Sequence, residues 1–288
     1  LWVVVTVVLF PKDSSDIKFE RISQEDGLSQ LSVNYIIRDI KGFMWFATQD
    51  GLNRYDGYGF TVYNHDRDVP TSISTNHIRV ILEDPEEDVI WIATSGGGLN
   101  KFDPVIGTFT RYLHDPKDPT SLSHDSVFSL YRDRRGELWV GTLGGGLNKF
   151  DKDKGTFIHY KHDALDNESL SDDQVLCVYE DNTDLLWFGT NFGGVNKYDR
   201  LRKKFKHYKY SPIKQNSLSG PQVRAIYEDH EGLLWIGTWG GGLCRYNRAN
   251  LEGKLVMASP SAVKLLGYDD INEMLGKVPL FPGNYMQS

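Results

Sequence analysis

The chain has few cysteines and no cluster of basic residues, and both shortages exclude classes of protein. Its 288 residues include two cysteines, Cys177 and Cys244. Two cysteines form no disulfide framework, so they do not fix the redox compartment, and we predict small buried residues at both positions. The net charge is −7 and no basic tract is present. This composition excludes nucleic acid as an expected partner, because affinity for phosphates depends on Lys and Arg.

The sequence also lacks an apolar run long enough to cross a bilayer. Its most apolar stretch, LWVVVTVVLF, covers residues 1–10 and is followed by the polar stretch PKDSSD. We interpret residues 1–16 as the remnant of a signal sequence or signal anchor with its linker. The expected location is therefore periplasmic or extracellular, as the outward-facing region of an inner-membrane protein.

Patterns of catalytic and metal-binding residues are missing as well. No Ser-His-Asp arrangement, metal-ligand spacing or paired catalytic carboxylate stands out, because nearly every Asp belongs to a repeated phrase. His65, His114 and His162 occupy one repeated position. We expect them to be separate loop residues rather than a metal site. The sequence predicts a chain that is not an enzyme and needs no cofactor and no metal.

What the sequence does contain is a fivefold repeat. Five tryptophans recur at separations of 46, 48, 48 and 48 residues, each inside a phrase like Leu-Trp-Ile-Gly-Thr followed by glycines. They are Trp45, Trp91, Trp139, Trp187 and Trp235, and we predict that all five are structural core residues. A period in the forties that carries strand-like pieces is typical of a β-propeller blade.

Each repeat contains four strand signals. An alternating stretch such as VFSLYRD is followed by an Asp-x-x-Gly turn, the Trp strand, a third strand such as NKFD and a fourth such as FTRY. The last repeat has no such fourth strand after Asn247, whereas FERI at residues 19–22 stands alone before the first. We predict an all-β propeller of five four-stranded antiparallel blades, with a short α/β C-terminal tail. Either FERI closes the ring or the array is part of a larger propeller.

The copies differ from one another at the turn that follows the Trp strand, and we expect ligand contacts there. In a four-stranded blade this turn lies beside the long polar link to the next blade. An exposed aromatic at such a turn suits sugar stacking, although it could equally shield the end of the blade. The candidate ligand-binding residues are Gln49, Asp50, Ser95, Leu143, Asn191, Phe192 and Trp239.

The repeated phrases, together with the Ser-Leu-Ser links, resemble the two-component regulator propeller repeats. The resemblance implies a sensory domain of a bacterial hybrid histidine kinase or related receptor, with a small polar ligand, often a carbohydrate breakdown product. It also implies a membrane-anchored parent, and a homodimer remains open. After residue 251, the segment GKLVMASPSAVKLLGYDDINEMLGK resembles the start of a PAS domain. We therefore expect a leader at 1–16, a propeller at 17–250 and a partial PAS-like segment at 251–288.

Two other classes of function remain open on the sequence. A secreted carbohydrate-binding propeller, similar to a lectin, would have equivalent pockets between all blades. A protein-interaction propeller would bind a stable protein partner in place of a small ligand. The first hypothesis is a ligand-sensing propeller that is non-catalytic in this fragment, with the kinase or other output domain elsewhere.

Overall fold

The structure, a computed structural model, describes residues 19–247 and 255–258. It contains twenty strands in five antiparallel sheets of four, each in the order of the chain. The first sheet has β1 (Val33–Arg38), β2 (Met44–Thr48), β3 (Leu52–Tyr55) and β4 (Phe60–Tyr63); the second has β5 (Ile78–Asp84), β6 (Val89–Thr94), β7 (Leu99–Asp103) and β8 (Thr108–Tyr112). The third has β9 (Val127–Arg132), β10 (Leu138–Thr142), β11 (Leu147–Asp151) and β12 (Thr156–Tyr160). The fourth has β13 (Val175–Glu180), β14 (Leu186–Thr190), β15 (Val195–Asp199) and β16 (Lys204–Tyr208); the fifth has β17 (Val223–Glu228), β18 (Leu234–Thr238), β19 (Gly242–Tyr246) and β20 (Leu255–Ala258).

The sheets are arranged as propeller blades. The first strands of successive sheets, β1, β5, β9, β13 and β17, lie against one another in that order. These inner strands therefore surround a common axis, and the fourth strands lie at the outside. The prediction of an all-β propeller with five four-stranded antiparallel blades is confirmed.

Of the two alternatives that the sequence left open for the ends of the array, closure by FERI does not form in the structure. Residues 19–22 form no strand, and the fourth strand of the fifth sheet is β20, which pairs with β19 from Leu243↔Ala258 to Tyr246↔Leu255. The sequence interpretation assigned this strand to the PAS-like segment, and its short apolar stretch carries no signal that separates the two readings. The predicted leader at 1–16 and the rest of segment 251–288 lie outside the described residues.

The hydrophobic core is divided into layers between successive blades. Trp45 packs against Phe102 of the second sheet, with ring centroids 5.7 Å apart, and Trp91 packs against Phe150 of the third sheet at 5.1 Å. Four of the five tryptophans are almost completely buried in this way, whereas Trp235 of the last sheet is half-buried. Each indole thus depends on the next blade for its burial.

The terminal blades expose faces that the inner blades bury. Ile36 on β1 is 52% exposed, whereas the equivalent Ile81 on β5 is 1% exposed. At the other end of the array, Tyr227 on β17 is also exposed. The inner strands at the two ends therefore each present apolar side chains to solvent.

An Asp at the end of each inner strand connects the hairpin turn to the core. Asp133 Oδ1 accepts the backbone N–H of Glu137 at 2.8 Å, and its Oδ2 accepts the indole N–H of Trp139 at 2.8 Å. The same Asp–indole bond joins Asp39 to Trp45, at 2.7 Å. In the fourth blade Asp184 stands where the turn has Gly in other copies, and it has φ +61°, a conformation that Asp adopts more readily than most residues.

The second blade lacks this Asp–indole bond. Its turn is one residue longer, so Trp91 follows Asp84 by seven positions, whereas the other tryptophans follow their Asp by six. Asp84 instead lies 3.3 Å from Nε of Arg132, and the buried Nε1 of Trp91 has no hydrogen-bond partner in the part of the chain described. One inserted residue therefore leaves a buried polar atom unsatisfied.

A buried Asn fixes each long link to the sheet that follows it. Asn148 on β11 accepts the backbone N–H of Ser123 at 3.0 Å and donates to the hydroxyl of Ser123 at 2.7 Å. In the fifth copy Cys244 replaces the Asn, and its sulfur lies 3.1 Å from the backbone N of Ser219. Cys244 is buried and Cys177 is half-buried, and both are free thiols.

Candidate functional site

One end of the propeller collects the variable turns and the long links. In each antiparallel blade, the turn between the second and third strands lies at the same end as the link to the next blade. Backbone hydrogen bonds join the two: Gly51 donates to the carbonyl of Asn76 at 2.7 Å, and Gly144 donates to that of Asp173 at 3.0 Å. The turns are therefore held in fixed positions by a repeated backbone framework, and the side chains on them are free to differ.

The inner strands carry a β-bulge at the same end. In all five sheets the pairing with the second strand skips the second residue of the inner strand. A bulged residue leaves the ladder and its side chain is aimed in a new direction, a device often found beside binding sites. The five bulged residues are Asn34, Arg79, Phe128, Leu176 and Arg224.

Three of the bulged side chains meet. The guanidinium of Arg79 lies 4.9 Å from the ring centroid of Phe128, and that of Arg224 lies 5.5 Å from the same centroid. Phe128 belongs to the third blade and Arg224 to the fifth, so Arg224 reaches past the fourth blade. Both arginines therefore project into the space that the inner strands enclose. We call the five bulged residues, with the five first turn residues (Gln49, Ser95, Leu143, Asn191 and Trp239), the axial mouth.

Two of the predicted ligand-binding residues contact the arginines directly. Ser95 Oγ accepts from Nε of Arg79 at 2.8 Å. Trp239 is 71% exposed, and the guanidinium of Arg224 lies 5.3 Å from its ring centroid. The first turn residue of a blade thus lies beside the bulged residue of the same blade.

Other predicted residues take part in polar contacts between links. Asn191 donates from Nδ2 to Gln174 Oε1 at 2.9 Å and accepts a hydrogen bond from Gln222. Asp50 accepts from Nδ2 of Asn76 at 2.9 Å. These contacts tie neighbouring blades together at the mouth, so both side chains already have partners.

The remaining predicted residues have different surroundings. Leu143 is half-buried, and its backbone N–H donates to the carbonyl of Ser126 at 2.9 Å. Gln49 is exposed. Phe192 is 70% exposed, and its backbone N–H donates to Asp172 Oδ2 at 2.6 Å. The structure thus places Trp239 and Ser95 beside the converging arginines, whereas the contacts of Asp50 and Phe192 are with links.

Histidines of the links have structural contacts. Nδ1 of His65, His114 and His162 each lies 2.8 Å from a carbonyl oxygen of its own link, as predicted for separate loop residues. Across residues 19–247 and 255–258, no group of three or more His, Cys, Asp or Glu side chains could hold a metal ion. Within the same ranges no helix is long and apolar enough to cross a membrane.

The electrostatic environment of the mouth is positive near Arg79. Burial lowers the pKa of His77, the residue before β5, and the charge of Arg79 lowers that pKa further. The Asp172 carboxylate on this face accepts backbone N–H groups from Phe192 and Gln174. Asp172 in the link thus accepts hydrogen bonds from the backbone, whereas the arginines face the axis.

The repeats match a known family model, described as two component regulator propeller, at residues 121–144, 169–192 and 217–240. Each matched segment runs from the Ser-Leu-Ser link through the inner strand and the Trp strand to the variable turn. Three of the five repeats thus match the two-component regulator propeller model. The family resemblance expected from the sequence is confirmed by this match.

Relatives of these repeats belong to signalling proteins. The extracellular domain of the hybrid two-component system BT3049 from B. thetaiotaomicron is 32% identical, with a TM-score of 0.72; the match covers 82% of this chain and 31% of that one. A histidine kinase from Formosa agariphila is 38% identical over 78 residues, which are 25% of this chain and 6% of the kinase. The propeller-repeat chain therefore spans less than a third of the first and a small part of the second.

More distant structures share the fold alone. The extracellular domain of the one-component system BT4673 from B. thetaiotaomicron is 24% identical, with a TM-score of 0.61, over 80% of this chain and 31% of that one. Virginiamycin B lyase from Staphylococcus aureus is 14% identical, with a TM-score of 0.58, over 79% of this chain and 70% of the lyase. An enzyme and a signalling domain thus use similar propellers, so the fold does not decide the function.

Sequence reasoning missed the bulged residues of the mouth. The second letter of the inner-strand phrase varies, as Asn, Arg, Phe, Leu and Arg, but the third letter varies as well, so variation alone does not single out the bulged position. An alternating pattern assigns this position to one face of a regular strand. The bulge changes that direction, and nothing in the local sequence marks it.

Proposed function

We propose that this chain is the ligand-sensing region of an extracytoplasmic two-component signalling protein, and that it is non-catalytic. The observation that supports the proposal is the contrast within each repeat. The hairpin Asp, the buried Asn and the indole recur in most repeats, whereas the ten residues of the axial mouth vary among the blades. A rigid scaffold with varied side chains at one end is typical of a binding site.

Similarity to extracellular domains of two-component systems supports the location and the signalling role. On this proposal the ligand-binding end would lie in the periplasm or outside the cell, in a parent protein anchored in the membrane. A small polar ligand, for which a carbohydrate is the leading candidate, would bind at the mouth, with Trp239 as the main aromatic contact. Formation of a homodimer would be a second way in which ligand binding at this end is transmitted to the rest of the parent protein.

The proposal predicts one binding site per chain, because the residues at the mouth occur once. The purified chain is screened against saccharides and other small polar compounds by thermal shift, and the hits are measured by titration calorimetry. Trp239→Ala should weaken binding at least about tenfold, as expected for a central aromatic contact. Tyr58→Ala is the matched control, since Tyr58 is 98% exposed and lies in a β3–β4 turn at the opposite end.

Other stoichiometries would support other functions. Several equivalent sites per chain, unaffected by Trp239→Ala, would identify a lectin-like propeller with pockets between blades. A stable protein partner that binds without any small ligand would identify an interaction scaffold. Turnover of a bound compound would contradict the non-catalytic part of the proposal.

A further inference from the structure

The two arginines of the axial mouth have aromatic rather than acidic partners. Arg132, Arg134 and Arg200 each lie within 2.8 Å of a carboxylate oxygen or closer. Arg79 and Arg224, in contrast, form no ion pair with any carboxylate of the described residues. Other arginines of the described residues also form no ion pair, but Arg79 and Arg224 share one aromatic ring, that of Phe128. Guanidinium groups stay protonated, so the positive charge persists at any physiological pH.

The two cations share one aromatic contact. Each guanidinium lies within 6 Å of the Phe128 ring, where the face of an aromatic ring attracts cations. Two like charges near one ring repel each other, and an anion that contacts both guanidinium groups would offset that repulsion. Nε of Arg79 is used by Ser95, which orients the guanidinium and leaves its terminal amino groups to donate to a ligand.

An exposed aromatic ring completes the set. Trp239 lies beside Arg224 and presents an indole to solvent at the same end of the axis. Arginine matches the planar, two-oxygen geometry of a carboxylate, and an indole packs against the apolar face of a sugar ring. A neutral sugar would use the indole but would leave both charges without a partner.

We propose that the axial mouth binds a sugar acid, with its carboxylate between Arg79 and Arg224 and its ring against Trp239. This inference rests on the proposed function and adds the chemical class of the ligand. The bulges supply the positions, because they aim side chains from the second and fifth blades at one point. Specificity for acid over neutral sugars follows from the two unpaired guanidinium groups.

The test uses the full chain and titration calorimetry with digalacturonate as the probe. Its methyl ester has nearly the same shape without the charge and serves as the ligand control. We expect the acid to bind at one site per chain, and the ester to bind at least about tenfold more weakly, as expected for the loss of a charged hydrogen-bonded pair. Affinity for the acid should fall with added salt.

Variants distinguish the effect of these two arginines on ligand affinity from the effect of the net charge of the chain. Arg224→Gln and Arg79→Gln should each weaken binding of the acid about tenfold and leave binding of the ester unchanged. Arg202→Gln makes the same change in net charge at an exposed side chain, which lies in the turn between β15 and β16 at the opposite end. This control should bind the acid like the wild type. Circular dichroism shows whether each variant is folded.

Three results would overturn the inference. Equal affinity for the acid and the ester, with no effect of either arginine variant, would show that charge is not recognised. Equal binding of inorganic sulfate at the same site would show a general anion site rather than a saccharide site. No binding of digalacturonate would exclude this class of ligand. The proposed sensing function fails separately, only when the broad screen finds no ligand that depends on Trp239.

Discussion

The hydrogen bond between the repeated Asp and the indole should contribute measurably to stability, and the second blade provides an internal control. Trp139→Phe removes an indole N–H that donates to buried Asp133 at 2.8 Å. Trp91→Phe removes an indole N–H that has no partner among the described residues. Both rings are at most 2% exposed and pack between two blades. The two variants therefore lose similar apolar contacts, and their free energies of unfolding should differ through the hydrogen bond of the indole.

The size of the difference follows from the chemistry of the acceptor. A hydrogen bond to a charged group contributes about 1.5–3 kcal/mol, and an unsatisfied buried donor costs about 1–3 kcal/mol. Asp133 keeps its contact with Arg200 at 2.8 Å in the variant, so its charge is not left unpaired. We expect Trp139→Phe to lower the free energy of unfolding by at least about 2 kcal/mol more than Trp91→Phe.

Urea unfolding followed by far-ultraviolet circular dichroism measures the two free energies. Trp187→Phe is a further control, because its indole donates to Asp181 at 2.6 Å, and it should behave like Trp139→Phe. Slopes of the unfolding free energy against urea must agree among the variants for the comparison to hold. An equal or larger loss in Trp91→Phe would refute the assigned role of the Asp–indole bond.

Three further predictions concern groups inside the blades. Burial would raise the pKa of Asp133, but hydrogen bonds from Trp139 and Arg200 outweigh it and hold that pKa below 3.8. The stability that this carboxylate contributes should therefore be fully present above about pH 4 and be lost as the pH drops through the folded-state pKa. Urea midpoints measured against pH should show a smaller fall in Asp133→Asn than in the wild type. Burial raises the pKa of the Cys177 thiol to about 12, so a thiol reagent at about pH 8 should react with the urea-unfolded chain and not with the native one. Asn148→Ala should lower the free energy of unfolding by about 1–3 kcal/mol in urea titrations, because it removes both partners of Ser123.

The fold could be predicted because the same pattern of strands and turns occurs five times in the sequence. A single alternating stretch such as VFSLYRD is ambiguous, but its recurrence ahead of Asp-x-x-Gly and Trp fixes a hairpin and its period. The fourth strand of the last blade was not predicted, because its sequence does not repeat the pattern. Residues 255–258 do not resemble the Phe-x-x-Tyr of the other copies, and their pairing with β19 is set by the open edge of the sheet rather than by local sequence.

The candidate site could be predicted in part. Comparison of the copies located Ser95 and Trp239, since a variable residue inside a repeated turn is visible in the sequence. Their partners Arg79 and Arg224 lie about 15 residues earlier in the chain, on strands that the pattern treats as regular. Convergence of the second and fifth blades on Phe128 is a property of the arrangement of the blades around the axis, and no local pattern encodes it.

The structure separates the residues that stabilise the propeller from those that vary at its mouth, and this separation can be tested. The Asp, Asn and Trp of each repeat are buried and hydrogen-bonded within the framework, so their replacement should change stability. Arg224 and Trp239 are exposed and have no hydrogen-bonded side-chain partner among the residues described. Surface replacements of this kind change the free energy of unfolding by about 0.5 kcal/mol or less. Arg224→Gln and Trp239→Ala should therefore leave the urea midpoint nearly unchanged. A large loss of stability in either variant would mean that the mouth holds the blades together, and its variation between copies would then reflect packing rather than a ligand.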